Sequence, residues 1–231
     1  MYDSKVETST SRAIKLNLNG IKKISKERIL EELFKILNLK KFINLNEDKY
    51  LKEMFSLIFP EFNNFERLDR LKKIYKNLYI EKNIILAVLL IDEKNNHEYF
   101  AHKYNIANNI KENLSLLARD LKLSKDNKDF FEKDLEKNIY LKNKDYLINL
   151  NTINFVSNIK YKFKDFSEIS RRILQSKLHT FPIDGKYLIK NGMKEGLTLG
   201  KVLKMIEDEW INNSFKISKD RIKEIIQLNS N

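Results

Sequence analysis

The chain contains no cysteine, two prolines, five glycines and one tryptophan among 231 residues. Without cysteine there is neither a disulfide framework nor a thiolate metal site, and the composition suits a reducing compartment. The longest apolar run, Ile84–Ile91, is far short of the roughly 20 residues a bilayer-spanning helix requires. Met1 to Thr8 has no apolar core of the signal-peptide kind. These absences predict a cytoplasmic protein with no membrane role. The three histidines, His97, His102 and His179, are scattered, and the first two are five apart rather than four. That spacing does not bring two imidazoles to one helix face, so no metal site is expected and surface or capping roles are. No Asp-x-Asp pair, nucleophile elbow or glycine-rich phosphate loop occurs. Glu207, Asp208 and Glu209 are adjacent on a helical pattern and point in different directions, which predicts a solvated face.

What is present is positive charge: 44 Lys and Arg against 32 Asp and Glu, a net charge of +12. Such a balance fits an anionic partner, RNA or DNA ahead of a membrane surface. Lys, Asn and Ile are abundant together, so an AT-rich genome would produce the same lysine excess. Its distribution is informative. Lys160 to Lys204 carries eleven basic residues against Asp165, Glu168, Asp184 and Glu195, an excess of seven.

Helical periodicity runs through most of the chain. Ser25 is placed as the N-cap of a helix to Leu37, with Ile29, Leu33, Ile36 and Leu37 on one face. Asp48 to Phe59 is predicted as a helix that buries Leu51, Met54, Phe55 and Ile58 and stops at Pro60. Phe65 to Leu78 makes a third, with Leu68, Leu71, Ile74, Tyr75 and Leu78 apolar. The 84–91 run is read as a buried helix rather than a buried strand, because its surroundings are helical. Ile106 to Leu121 is amphipathic. The Asn/Lys-rich stretch from Ser124 to Asn158 predicts small helices and loops. Phe166 to Leu178 carries Arg171 and Arg172, Leu197 to Trp210 forms a long helix, and Ser218 caps the last one. No alternating strand pattern is present, so the expected class is all-α with no significant β-sheet.

Four of the five glycines, Gly185, Gly192, Gly196 and Gly200, cluster with Pro182. Phe181-Pro182-Ile183 leads into a short helix, Asp184 to Asn191, with Asp184 as N-cap. Gly192 falls where a left-handed residue ends a helix. Gly196 precedes the next helix and leaves the N–H groups of its first turn open. Flanked by Lys194 and Lys201, that end suits a phosphate. The alternative is a tight helix–turn–helix corner in which Gly200 permits close packing.

The run Phe181–Ile189, followed by Gly192-Met-Lys-Glu-Gly196, Gly200, Trp210 and Phe215, resembles the C-terminal tail of bacterial tRNA nucleotidyltransferases, the CCA-adding enzymes and their poly(A) polymerase relatives. Upstream, Arg12-Ala-Ile and then Gly20 to Leu37 are similar to the segment following the nucleotide-selecting neck of those enzymes. Leu197 departs from the pattern, which usually has proline there. The family's head motifs (Gly-Gly with Arg-Asp, the metal-binding Asp-x-Asp) and the neck's arginine-rich Glu-Asp motif have no counterpart in this sequence.

The resemblance therefore implies an RNA-binding part of such an enzyme, inactive alone, with Mg²⁺, CTP and ATP serving a separate catalytic head. It implies an elongated helical array divided into a neck-proximal segment (1–80), a body (81–178) and a tail (179–231). The partner implied is tRNA or another RNA, gripped by phosphate contacts and shape. The phosphate-contact candidates are Lys160, Lys162, Arg171, Arg172, Lys186, Lys190, Lys194, Lys201 and Lys204, with Pro182 and the four clustered glycines shaping the turn. Arg28 is expected to brace its own helix through Glu31 or Glu32. A helical protein–protein interaction module without an RNA role is the alternative.

Overall fold

In a computed structural model the protein is all-α. The structure describes residues 8–75 and 81–229. Thirteen α-helices and three 3-10 helices, and no strand, are found among the described residues. They form two compact units, Met1–Asn127 with Ile148–Ser170, and Lys128–Leu147 with Arg171–Asn231.

The first unit is built around an apolar helix. Helices α1 (Thr8–Asn17), α2 (Lys26–Leu37), α3 (Lys49–Ile58), α4 (Arg67–Tyr75), α5 (Lys82–Leu90), α6 (Asn96–Tyr104) and α7 (Asn108–Asp126) follow in order. Every residue from Ile84 to Leu90 of α5 is buried, because α2, α4, α6 and α7 all pack on it. A helix apolar all round is stable only when enclosed in this way. Each such Leu or Ile contributes about 1.5–3 kcal/mol.

Caps fix the boundaries. Ser25 Oγ accepts from the Arg28 N–H at 3.3 Å, and Asp48 Oδ1 accepts from Tyr50 and Leu51 at 3.0 Å. Helix α3 ends at Ile58, ahead of Pro60, and a ring cluster of Phe59, Phe62, Phe100 and Tyr104 fills the space beyond. Leu51, expected inside, is exposed; only Met54 of α3 is fully buried. Leu78, expected on the third helix, lies outside the described residues.

Two arginines on α4 reach other helices. Arg67 Nη1 donates to the carbonyls of Val88 at 3.0 Å and Ile91 at 2.6 Å, satisfying the C-terminal end of α5. Arg70 donates from Nε to the Phe155 carbonyl at 2.8 Å and from Nη2 to those of Asn158 at 3.1 Å and Tyr161 at 2.6 Å. The last carbonyls of a helix lack intrahelical partners, so a guanidinium there supplies donors and a favourable charge.

The polar middle departs from expectation. Beside the small helices expected there, a 3-10 turn (Lys128–Phe131) and α8 (Leu135–Lys142), it holds the fourteen-residue α9 (Lys144–Ser157), whose residues Leu150 to Val156 are all buried. Asn151 is fully enclosed yet saturated: its amide donates to the Phe166 carbonyl at 3.0 Å and Ser170 Oγ at 2.9 Å, and its oxygen accepts from the Tyr161 hydroxyl at 2.8 Å. A buried amide with its hydrogen bonds made costs little, which is how Asn151 enters a core; the neighbouring Asn154 Oδ1 is buried without a partner. His97 is a further correction. It is 3% exposed, with Nδ1 lacking a partner, and burial holds its pKa below the usual imidazole value.

The second unit holds a 3-10 turn (Lys128–Phe131), α8, the end of α10 (Phe163–Gln175), α11 (Gly185–Lys190), α12 (Leu197–Asn212) and α13 (Lys219–Leu228). One core joins Leu188, Met193, Val202, Ile206, Ile222, Ile225 and Ile226. Beside it Trp210 packs against Tyr140, Phe181 and Phe215. His179 stacks on Phe215 at 3.7 Å between ring centres, and its Nε2 lies 2.8 Å from Glu136. This histidine is therefore a packed ring rather than a surface or capping group.

Candidate nucleic-acid interface

The first basic surface is the stretch Arg12–Arg28. It runs from α1 through a 3-10 helix (Leu18–Lys23) to the first turn of α2. It holds Arg12, Lys15, Lys22, Lys23, Lys26 and Arg28 against one acid, Glu27. None of its described side chains is buried. Helix α1 packs on the adjoining 3-10 turn, and Ile14 and Leu16 are exposed on it with Arg12 and Lys15. Lys15 is tied to Glu53 at 2.6 Å. On α2 the ion pair is Lys35–Glu32 at 2.8 Å, which holds the Glu32 carboxyl below its usual range; Arg28 adds only a weaker pull and is itself exposed. Arg28, expected to brace its helix, is exposed together with Arg12, Lys23 and Lys26, none of which is among the expected phosphate contacts. The signal available was the density of cations around a single acid.

The second surface is the glycine-rich corner. Asp184 Oδ1 accepts from the Tyr187 N–H at 2.8 Å and caps α11. Gly192 has φ +101, with its N–H on the Ile189 carbonyl at 3.0 Å and the Met193 N–H on that of Leu188 at 3.1 Å. This paired closure is the Schellman arrangement, and the accompanying apolar contact is Leu188 with Met193, both buried. Gly196 has φ +144 and no side chain caps the start of α12 at Leu197. Gly192, Gly196 and Gly200 are exposed. A Cβ at Gly200 would meet nothing within 4 Å, so close helix packing does not require glycine there. At Gly185 a Cβ would lie 3.2 Å from Leu199 Cδ2, which is where α11 and α12 approach.

On this corner Lys186 and Lys190 are exposed one turn apart on α11, Lys194 is exposed in the turn, and Lys201 is exposed on α12. Lys204 is differently placed. It pairs with Glu207 and Asp208, each at 3.0 Å, so its charge is already compensated within α12. The acidic face is solvated at Asp208, as expected, and is also paired. Glu207 also accepts from the Tyr140 hydroxyl at 2.5 Å, and Glu209 takes three bonds from Arg221. Burial first, and the Glu207 bond second, push the Tyr140 hydroxyl up to about 12.

The remaining candidates fall elsewhere. Arg171 is exposed on α10, while Arg172 is half-buried and reaches the Glu132 carbonyl at 3.4 Å. Lys160 and Lys162 are exposed in the turn between α9 and α10, in the first unit. Pro182 is exposed ahead of α11. Among the described residues no group of three or more His, Asp and Glu side chains could hold a metal ion, and no helix is long and apolar enough to cross a membrane.

No curated protein matches the chain. A family model described as the probable RNA- and SrmB-binding site of polymerase A matches residues 5–65. The matched residues contain the exposed cationic stretch Arg12–Arg28 together with α2 and α3 behind it. Residues 5–65 are thus similar to an RNA-binding region of polymerase A, and in this chain that region presents open positive charge.

Proposed function

We propose that the chain grips RNA by its sugar–phosphate backbone and presents a 3′ end for untemplated nucleotide addition. In this reading it is the RNA-binding part of a poly(A) polymerase or a CCA-adding tRNA nucleotidyltransferase. Nucleotide transfer, with its Mg²⁺ and CTP or ATP, belongs to a catalytic head on residues other than these. The observation that carries the reading is the coincidence of the 5–65 match with a stretch holding six cations, one acid and no buried described side chain. Lysine and arginine so exposed bind polyanions through counterion release, with affinity falling steeply as salt rises. The glycine-rich corner supplies a second contact through Lys186, Lys190, Lys194 and Lys201. Tyr99 and Phe163 are the exposed large aromatic residues among those described, and neither lies on these two surfaces. Backbone and shape recognition of a stem therefore fits both surfaces better than base stacking.

The test is fluorescence anisotropy of a labelled tRNA transcript against the full chain over a series of salt concentrations. Arg12, Lys23, Lys26 and Arg28 changed together to Ala should lower the slope of log K against log salt by about three. The corner set Lys186, Lys190, Lys194 and Lys201, changed together, should lower it similarly. An unchanged slope for the corner set removes the tail from the surface. No retention of RNA by the wild-type chain at low salt overturns the proposal.

A further inference from the structure

The turn between α9 and α10 combines features that neither surface above possesses. With the first two residues of α10 its sequence is Asn158-Ile-Lys-Tyr-Lys-Phe-Lys164, three lysines alternating with two rings. The backbone is held from beneath. Arg70 donates to the carbonyls of Phe155, Asn158 and Tyr161 while its guanidinium lies 4.2 Å from the Phe155 ring centre. The Tyr161 hydroxyl is anchored on buried Asn151, and Asn158 Oδ1 accepts from the Lys160 N–H at 3.0 Å. The Tyr161 hydroxyl and the Arg70 guanidinium thus hold the backbone from the inner side.

The outward residues are Ile159 at 85% exposure, Lys160, Lys162, Phe163 at 43% and Lys164. Phe163 touches Phe155 and Phe166, with ring centres 5.9 Å away in both cases, yet nearly half of it remains in water. Asp165, in the first turn of α10, has a carboxylate oxygen 3.4 Å from the Lys162 N–H. A rigid, cationic, ring-bearing turn is chemically complementary to an unpaired nucleotide. Lysines neutralise phosphates, and a ring offers a surface on which any base stacks.

The geometry points to the α9–α10 turn as a contact for a single-stranded stretch of RNA, with one base stacked on Phe163 and adjacent phosphates on Lys160, Lys162 and Lys164. The inference rests on the RNA-binding reading and adds to it a second kind of ligand, single strand beside stem. Preorganisation by Arg70 and Tyr161 means that little ordering cost falls on binding.

The test uses the full chain with an unstructured oligoadenylate and, separately, a blunt RNA hairpin. Phe163→Trp adds an emitter at the start of α10, in addition to the native Trp210. Oligoadenylate should quench the added emission saturably, while wild-type emission stays unchanged. Phe163→Leu, which retains apolar packing, should weaken oligoadenylate binding about five- to tenfold and leave hairpin binding within twofold. Lys160, Lys162 and Lys164 changed together to Ala should lower the single-strand salt slope by about two. A circular-dichroism melt of each variant checks that the fold persists. Should Phe163→Leu prove unstable, the Trp variant carries the test alone. Hairpin binding with no quenching by oligoadenylate overturns this inference and leaves the RNA-binding reading intact. Equal quenching by heparin makes the turn a general anion contact and overturns the stacking claim. Failure of the wild-type chain to bind either RNA overturns both.

Discussion

Replacing Arg70 by alanine tests whether one side chain holds the end of α9 and the turn that follows. In the folded protein its guanidinium serves three carbonyls, those of Phe155, Asn158 and Tyr161. A hydrogen bond from a charged donor contributes about 1.5–3 kcal/mol. Arg70 is only half-buried, so water can reach part of the vacated space and restore some of that loss. The contact over the Phe155 ring adds about 0.5–1 kcal/mol. A net local destabilisation of about 3 kcal/mol follows, roughly a hundredfold in the opening equilibrium. Native-state hydrogen exchange reads it directly, because the Tyr161 N–H bonded to the Asn158 carbonyl reports the turn. Amides from 155 to 161 should exchange about a hundredfold faster, while those of α13 in the second unit should not change. Arg70→Lys keeps the charge but cannot span three carbonyls, and should fall between the two. Acceleration below threefold in Arg70→Ala would refute the assignment.

Two further predictions concern the second unit, where Trp210 emission reports unfolding. Gly192→Ala forces a β-carbon onto φ +101 and should lose about 1–2 kcal/mol in urea titration, whereas Gly200→Ala, whose β-carbon meets open space in an exposed helix, should gain about 0.5–1 kcal/mol. Equal effects would show that the Schellman turn is not what selects glycine. Tyr140, raised to about 12 by burial and by Glu207, ionises later in the folded protein than in the unfolded chain. The unfolded state then holds fewer protons between about pH 10 and 12, so this group's stabilisation is complete below pH 10 and is lost as pH rises through 12. Tyr140→Phe should remove that component, read as a smaller loss of midpoint from pH 10 to 12 and a missing late phenolate step in the ultraviolet titration.

Local signals were legible wherever the partner lies within a few residues. Ser25, Asp184 and Ser218 cap the helices they were expected to cap, and Gly192 adopts the left-handed geometry its position requires. The apolar run 84–91 is a buried helix, as its helical surroundings suggested. Readings that depended on distant partners fared differently. Leu51 has helical spacing but faces water, because the space beside α3 is filled by Met54, Phe55 and the Phe59 cluster. Asn151 and Asn154 made the middle look like loop, yet both are buried in α9. Glu207 looked solvated, and its partner Tyr140 is 67 positions away.

The all-α class, the helix caps, the glycine turn and the excess of positive charge could be read from the residues in order, since each depends on spacing, backbone freedom or composition. The packing of the folded chain sets which cations stand open: Lys204 is compensated by Glu207 and Asp208, while Arg12, Lys23 and Lys26 are exposed. It alone revealed that Arg70 and Tyr161 brace the lysine-rich turn after α9. The reason is physical: a side chain's charge and hydrogen bonds are spent on whatever the fold brings within about 3 Å, and periodicity carries no record of partners remote in the chain.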